Sequence, residues 1–288
     1  MTLQQLRQVL TIAESNSMNE AAKKLFVSQP NLSATVREVE EELGITVFMR
    51  NNRGITVTAE GEEFLGYAKQ VVEQYHLLEN RYLNVESKKK FSVSMQHYSF
   101  AVKAFVQLAK EVGMDEYEFA VHETKTKEVI DNVKNLKSEI GVLYLSDFNE
   151  KVLRKLFKEC DIEFKELFTC NTYVYLWKKH PLAGQKEITL DDLQEYPCLT
   201  FEQGVNNSFY YAEEMMSTYE YKRVIKADDR ATMLNLMVGL NGFTLCSGII
   251  SEDLNGDDYA AIPLKESEIM HIGYLSLIHI PSPRDLST

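Results

Sequence analysis

Apolar residues Leu3, Leu6, Leu10 and Ala13 recur at helical spacing, and Leu32, Val36, Val39 and Leu43 do so again further on. Between them, Ser17-Met18-Asn19-Glu20 has the form of a capping box, with a Ser hydroxyl for the N–H three residues on and a Glu to reach back. Ala21, Ala22 and Leu25 give a small apolar face on which a second helix can sit closely. Phe26 and Val27 are expected to fill the turn that follows. Ser28 can cap the next helix, and Pro30 lies in its first turn, where a missing N–H costs nothing. Gln29, Ser33 and Arg37 are four apart and expected on its wet face. A short capped helix, a turn and a longer helix with a polar stripe predict a helix-turn-helix, whose second helix enters the DNA major groove.

After Leu43-Gly44, two β-rich runs, Ile45 to Arg50 and Ile55 to Thr58, flank Asn51-Asn52-Arg53-Gly54. That is a hairpin, a wing with Arg50 and Arg53 at its tip, placed for phosphate or minor-groove contact. Thr58 caps a further helix, with acids in its first turns. Phe64, Ala68, Val71, Tyr75, Leu78, Tyr82 and Val85 then alternate in steps of four and three, a heptad seam. About 27 residues at about 1.5 Å each make a rod of about 40 Å. A lone rod of that length would expose its seam, so pairing with a second copy is expected.

Ser87 to Lys90 reads as a polar hinge. Beyond it, strands and helices alternate: Phe91 to Gln96, Tyr117 to Glu123 and Ile140 to Leu145 are strand-like, with helices over Ser99 to Val112, Lys127 to Lys137 and Val152 to Glu159. This rhythm predicts an α/β domain with a parallel, doubly wound sheet. The pattern restarts around Cys160 to Phe164. Strand-like runs at Glu166 to Cys170, Tyr173 to Trp177, Cys198 to Phe201, Arg223 to Ala227 and Phe243 to Ser247 follow, with Phe209 to Ser217 and Ala231 to Leu240 between them. The last run is Ile269 to Leu277.

Charge refines the picture. The net charge is −12, but within residues 1–58 Arg7, Lys23, Lys24, Arg37, Arg50 and Arg53 are matched by Glu14, Glu20, Glu38, Glu40, Glu41 and Glu42. Residues 91–288 carry −11 of the total. A neutral DNA-binding part binds phosphate weakly as a monomer, which favours a dimer or tetramer. An apolar content of 44% can supply sizeable cores, and no apolar run reaches the 18 or so residues of a membrane span. Met1 to Gln5 begins no secretory signal, so a cytoplasmic location is expected. Cys160, Cys170, Cys198 and Cys246 have no metal-ligand or CxxC spacing, and the six histidines form no i, i+4 pair. No GxSxG, HExxH, P-loop or dinucleotide fingerprint is present, so neither catalysis nor a cofactor has support.

Ala21-Ala22, Leu25, Ser28-Gln29-Pro30, Ser33, Glu40, Leu43-Gly44, Phe48, Arg50, Thr58 and Gly61 together resemble the N-terminal signature of the LysR-type transcriptional regulators. The resemblance implies a winged helix-turn-helix (1–58), a linker helix and hinge that dimerises (59–90) and a two-lobed, periplasmic-binding-protein-like (type 2) effector domain (91–276). In the last, residues 91–161 with 265–276 form lobe I and 162–264 form lobe II. It implies double-stranded DNA, a small effector, further copies of the chain and RNA polymerase as partners. The DNA-facing set would be Gln29, Pro30, Asn31, Ser33, Ala34, Arg37, Arg50 and Arg53. The dimer seam would use Phe64, Ala68, Val71, Tyr75, Leu78 and Tyr82.

Sheets of this type bind ligands at the carboxyl ends of their strands, against helix N-termini. Candidates are Tyr98, Ser99, Phe100, Thr124, Lys125, Thr126, Tyr144, Phe201, Arg230 and Ser247. A small carboxylate, another organic anion or oxyanion, or an amino-acid-like compound is the expected effector, with Ser99 and Thr126 donating and Lys125 or Arg230 as countercharge. Two departures stand out. Ala34 and Asn31 differ from what many relatives carry. No cysteine occurs between Cys198 and Cys246, so the cysteine-pair mechanism of the peroxide-sensing members is unsupported. Leu277 to Thr288 lacks the closing helix of the family and resembles translated vector sequence, so it is expected to be non-native, with a natural disordered terminus as the alternative. The alternative function is a two-lobed small-molecule-binding or catalytic protein whose N-terminal module only dimerises.

Overall fold

The computed structural model describes all residues except 16, 52–53, 84–88, 114–115, 207, 251–255 and 279–288. The chain divides into two compact units, Met1–Lys88 and Lys89–Thr288.

In the first unit, α1 (Leu3–Ala13), α2 (Met18–Lys24) and α3 (Gln29–Leu43) enclose a core of Val9, Ile12, Ala21, Leu32, Val36 and Val39. Each start is capped by the residue type its orphan N–H groups demand. Thr2 and Gln5 form a full capping box, Ser17 Oγ accepts from Glu20 N–H, and Ser28 Oγ accepts from Asn31 N–H. Gly44 ends α3 at φ +69°, a conformation glycine adopts without penalty. Phe26 does not fill the turn: at φ +54° its ring is 96% exposed, and Leu25 and Val27 pack on the core instead. β1 (Phe48–Asn51) and β2 (Gly54–Val57) pair as an antiparallel hairpin. Thr58 Oγ1 accepts from Gly61 N–H to start α4 (Ala59–Leu83). Gly61 has to be glycine, because a Cβ there would lie 2.3 Å from the Val47 carbonyl oxygen.

The second unit holds two lobes. Lobe I is a five-stranded sheet ordered β4 (Tyr117–Glu123), β3 (Lys89–Met95), β5 (Ile140–Leu145), β12 (Ile269–Leu277), β6 (Ile162–Asn171). It is flanked by α5 (Ser99–Val112), α6 (Thr126–Lys134) and α7 (Glu150–Glu159). Lobe II has an antiparallel sheet of β10 (Thr244–Cys246), β7 (Tyr173–Trp177) and β11 (Tyr259–Pro263), a parallel pair β8 (Cys198–Phe201) and β9 (Val224–Ala227), and α8 (Arg230–Leu240).

Four expectations need correction. The lobe I sheet is mixed: β3 runs parallel to β4 and β5, but β12 is antiparallel to β5 and β6. The chain leaves lobe I along β6 and returns beside it along β12, so the two strands must run in opposite senses. The first crossing therefore falls at Thr172, not at Cys160 to Phe164, and β6 belongs to lobe I. Thr172 is fully buried there; its N–H donates to Ser267 Oγ (2.7 Å) and its hydroxyl to the Glu268 carbonyl (3.0 Å). Lys89 and Lys90 already belong to β3 rather than to a hinge. Finally, Leu277 is buried in the lobe I core, and Ile278 N–H donates to the Asp161 carbonyl, so the fold runs through both. The rest of the suspect tail, 279–288, lies outside the described residues, as do Arg53 and Val85.

Candidate functional site

The first site is the outward face of α3. Burying Leu32, Val36 and Val39 leaves Pro30, Asn31, Ala34 and Arg37 exposed. Gln29 is half-buried and donates through Nε2 to Ser33 Oγ at 2.9 Å. Ser33 is buried, a correction to its expected wet face: it is one residue from Leu32 and three from Val36, at the edge of the apolar stripe. Its hydroxyl braces Gln29 at the start of the helix. Arg50 lies on β1 opposite Ile55.

The acids that cluster late in α3 are largely engaged. Glu38 accepts from Gln5 Nε2 (3.0 Å), and Glu42 pairs with the N-terminal ammonium (2.6 Å). Glu40 accepts from the N–H groups of Val47 (2.7 Å) and Phe48 (3.0 Å). Glu40 thus anchors the wing to the helix, a role that a one-dimensional charge count hides.

On α4, Phe64 and Ala68 are not free for a partner chain. Ala68 is 2% exposed and packs with Leu6 and Val72, and Phe64 packs on the same cluster. The open stripe is Tyr67, Val71 (51% exposed), Tyr75, Leu78 (55%) and Tyr82. The seam continues past α1 only from that point, because α1 covers its first turns. The Arg7 guanidinium sits 5.3 Å from the Tyr75 ring centre and 3.3 Å from Glu79, tying α1 to α4.

The second site lies within the second unit, where both lobes meet a cavity of about 80 Å³. Tyr98, Ser99, Phe100, Phe201, Arg230 and Ser247 line it. Four expected residues do not. Thr124 donates its hydroxyl to Glu128, and Lys125 faces Asp228 at 3.8 Å. Tyr144 donates its hydroxyl to the carbonyls of Ala212 (3.1 Å) and Glu214 (3.3 Å). Thr126 is spent on the protein: its N–H donates to Gln203 Oε1, its hydroxyl donates to the Tyr211 carbonyl and the same oxygen accepts from Gln96 Nε2. Arg230 lines the cavity but its guanidinium is bound by Glu123 across the lobes.

Sequence reading missed the segment between β8 and β9. It forms a short 3-10 turn at Phe209–Tyr211 rather than a helix and reaches across to lobe I, where Tyr211 and Met215 join apolar clusters. It brings buried Glu213 and Glu214 to the cavity wall. Glu213 Oε2 accepts from the His97 N–H (3.1 Å) and lies 2.8 Å from His97 Nδ1, while Oε1 accepts from Gln203 Nε2 (3.0 Å). The His97 ring stacks on Phe201 at 3.7 Å. Glu214 Oε1 accepts from Phe201 N–H (2.8 Å). Burial, with Glu213 adjacent, pushes the Glu214 carboxyl up to about 8. The other wall is apolar, with Met233, Met237 and Leu245, and carries the Thr244 hydroxyl, buried and without a hydrogen-bond partner among the described residues. The adjacent Glu-Glu-Met-Met run was the only trace of this segment in the sequence, and adjacency alone does not show burial.

Two carboxyl groups face this cavity, and the cations expected to balance an anion are held by Glu123 and Asp228. Burial raises the thiols of Cys170 to about 11 and Cys246 to about 12, which leaves both protonated near neutrality. Among the described residues no three His, Cys, Asp or Glu side chains converge to hold a metal ion, and no helix is long and apolar enough to cross a membrane.

Residues 3–62 match the family described as "Bacterial regulatory helix-turn-helix protein, lysR family", and residues 114–277 match the "LysR substrate binding domain". The chain is 28% identical over 214 residues to the HTH-type transcriptional regulator CysL of Bacillus subtilis and 30% identical over 214 residues to the transcriptional dual regulator GltC of the same organism. Each alignment covers 71% of this chain and 66% of the relative, just under two thirds of its length. Among solved structures, full-length OxyR from Pseudomonas aeruginosa shares the fold with a TM-score of 0.70 at 20% identity, over 99% of this chain and 92% of that one.

Proposed function

This chain belongs to the LysR family of helix-turn-helix transcriptional regulators, not enzymes, and we propose that α3 and the wing read its operator while the interlobe cavity holds its effector. One observation carries the DNA reading. α3 is capped, packed on its inner face and left open at Pro30, Asn31, Ala34 and Arg37, as a groove-entering helix must be. Asn31 and Arg37 have the donors and acceptors that base edges need, and Gln29 is braced by Ser33 to do the same. Arg50, on β1 of the wing, supplies phosphate contact, and Arg53 is the second candidate from the sequence. The exposed stripe from Tyr67 to Tyr82 supports a homodimer through α4, which doubles the number of phosphate contacts and offsets the neutral charge of a single N-terminal unit. Contact with RNA polymerase extends the same reading, since a bound regulator acts through access to the promoter.

The cavity supports effector binding because a polar network from both lobes meets there. Binding can switch DNA affinity only by preferring one arrangement of the lobes or of the copies. Fluorescence anisotropy with the intergenic DNA upstream of the chain's own gene tests the reading. Saturable, salt-dependent binding that survives excess nonspecific DNA is expected. Equal affinity for unrelated DNA at every salt concentration would refute it.

A further inference from the structure

The cavity has two walls of opposite character. One carries Glu213 and Glu214, both buried; the other is largely apolar, through Met233, Met237 and Leu245, and carries Arg230, Ser247 and the Thr244 hydroxyl, which has no partner among the described residues. A buried hydroxyl without a partner costs free energy that a ligand can recover. The cations of the neighbourhood are already committed: Arg230 to Glu123 and Lys125 to Asp228. What the cavity lacks is a donor-rich, positively charged guest. At about 80 Å³ it has room for roughly two to three water molecules' worth of volume, which admits only a compact guest of a few heavy atoms.

We propose that this cavity binds a small compound bearing a protonated primary amine, its ammonium on Glu214 and the Thr244 hydroxyl and its apolar portion against Met233, Met237 and Leu245. The proposal rests on the reading of the cavity as the effector site. Three N–H donors fit an acceptor set of carboxylate and hydroxyl oxygens, whereas a carboxylate guest would lie beside Glu213, with Arg230 already held by Glu123. Burial keeps Glu214 protonated near neutral pH in the empty site. The incoming ammonium stabilises the carboxylate form, so the Glu214 carboxyl passes its proton to solvent while the amine keeps all three of its own. Charge is conserved inside the cavity: one proton leaves as one cation enters.

Isothermal titration of the full chain with propylammonium, propionate and propanol near pH 7 tests this. Propylammonium should bind saturably, and its enthalpy should vary with the buffer's ionisation enthalpy, reporting release of close to one proton. Glu214→Gln should abolish that buffer dependence and weaken binding by about tenfold or more, since a charged hydrogen bond is replaced by a neutral one. Thr244→Val, which keeps the shape of the wall, should weaken binding several-fold while leaving proton release intact. Propionate or propanol binding more tightly than propylammonium, with sensitivity to Thr244→Val, would overturn the amine class and leave the cavity reading standing. Binding of propylammonium that neither substitution alters, or no binding of any probe, would overturn both.

Discussion

Replacing Glu214 by Gln should raise stability in a pH-dependent way. The folded protein holds this carboxyl up to about 8, against the ordinary value of 4.5. Between those values the unfolded chain ionises Glu214 and the folded chain does not, so the folded state binds more protons. Stability therefore falls as pH rises from about 4.5 to about 8, and levels off above. At about 1.4 kcal/mol per pH unit, the ceiling of this penalty is about 5 kcal/mol. Glutamine keeps an oxygen for the Phe201 N–H and never ionises, so it escapes the penalty. Water entering the interlobe cavity as Glu214 charges will lower the ceiling to roughly half. Burial is the main cause and the neighbouring Glu213 adds to it, while the Phe201 N–H, which favours the charged form, offsets only part of the rise. Urea unfolding at pH 5, 6, 7 and 8, followed through the single tryptophan, Trp177 in lobe II, measures the difference. The variant should gain about 2–3 kcal/mol over the parent between pH 5 and pH 8. Parallel stability curves for the two proteins would show that Glu214 is ionised in the folded state and would refute the reasoning.

Arg37→Ala and Asn31→Ala should each cost about 1–3 kcal/mol of specific DNA affinity and relax base preference, measured by anisotropy on a single-substitution operator panel. Ser33→Ala should loosen Gln29, so its effect on base preference should shrink in a Gln29→Ala background. Val71→Glu with Leu78→Glu should give a folded monomer in analytical ultracentrifugation, because both side chains are exposed in the single chain. Ala68→Glu should instead unfold the N-terminal unit, seen as lost helical circular dichroism, since it buries a charge against Leu6. Gly61→Ala should destabilise that unit by about 1–3 kcal/mol, because the added methyl has no room beside the Val47 carbonyl. An unchanged melting temperature for the first unit would contradict that packing.

The N-terminal unit was largely legible because its determinants are local. Caps at Ser17 and Ser28, helical spacing from Leu32 to Leu43 and glycine at position 44 act within a few residues of where they stand. Amphipathic strands and helices likewise announced the α/β alternation of the second unit, and α5 began and ended where its pattern did. Errors arose where a residue's fate depends on a distant element. α1 claimed Phe64 and Ala68 from the seam, and the apolar stripe of α3 drew Ser33 inward. The antiparallel place of β12 followed from the return crossing beside Thr172, which periodicity within one strand cannot express.

The cavity was decided by tertiary structure alone. Helix starts and strand ends marked half of one wall, since Tyr98, Ser99 and Phe100 open α5 and Arg230 opens α8. The segment carrying Glu213 and Glu214 has no periodicity, because hydroxyls of the other lobe, from Thr126 and Tyr144, take up its carbonyls at Tyr211, Ala212 and Glu214. A carboxylate read from sequence counts as one negative surface charge. Closed against His97, Gln203 and Phe201, the same group becomes a buried acid whose charge state depends on what shares the cavity. Sequence determines which groups are available within a turn or a strand, since those interactions span a few bonds. Which of them lose water depends on contacts between residues more than a hundred positions apart, such as His97 and Glu213, and only the folded chain brings those together.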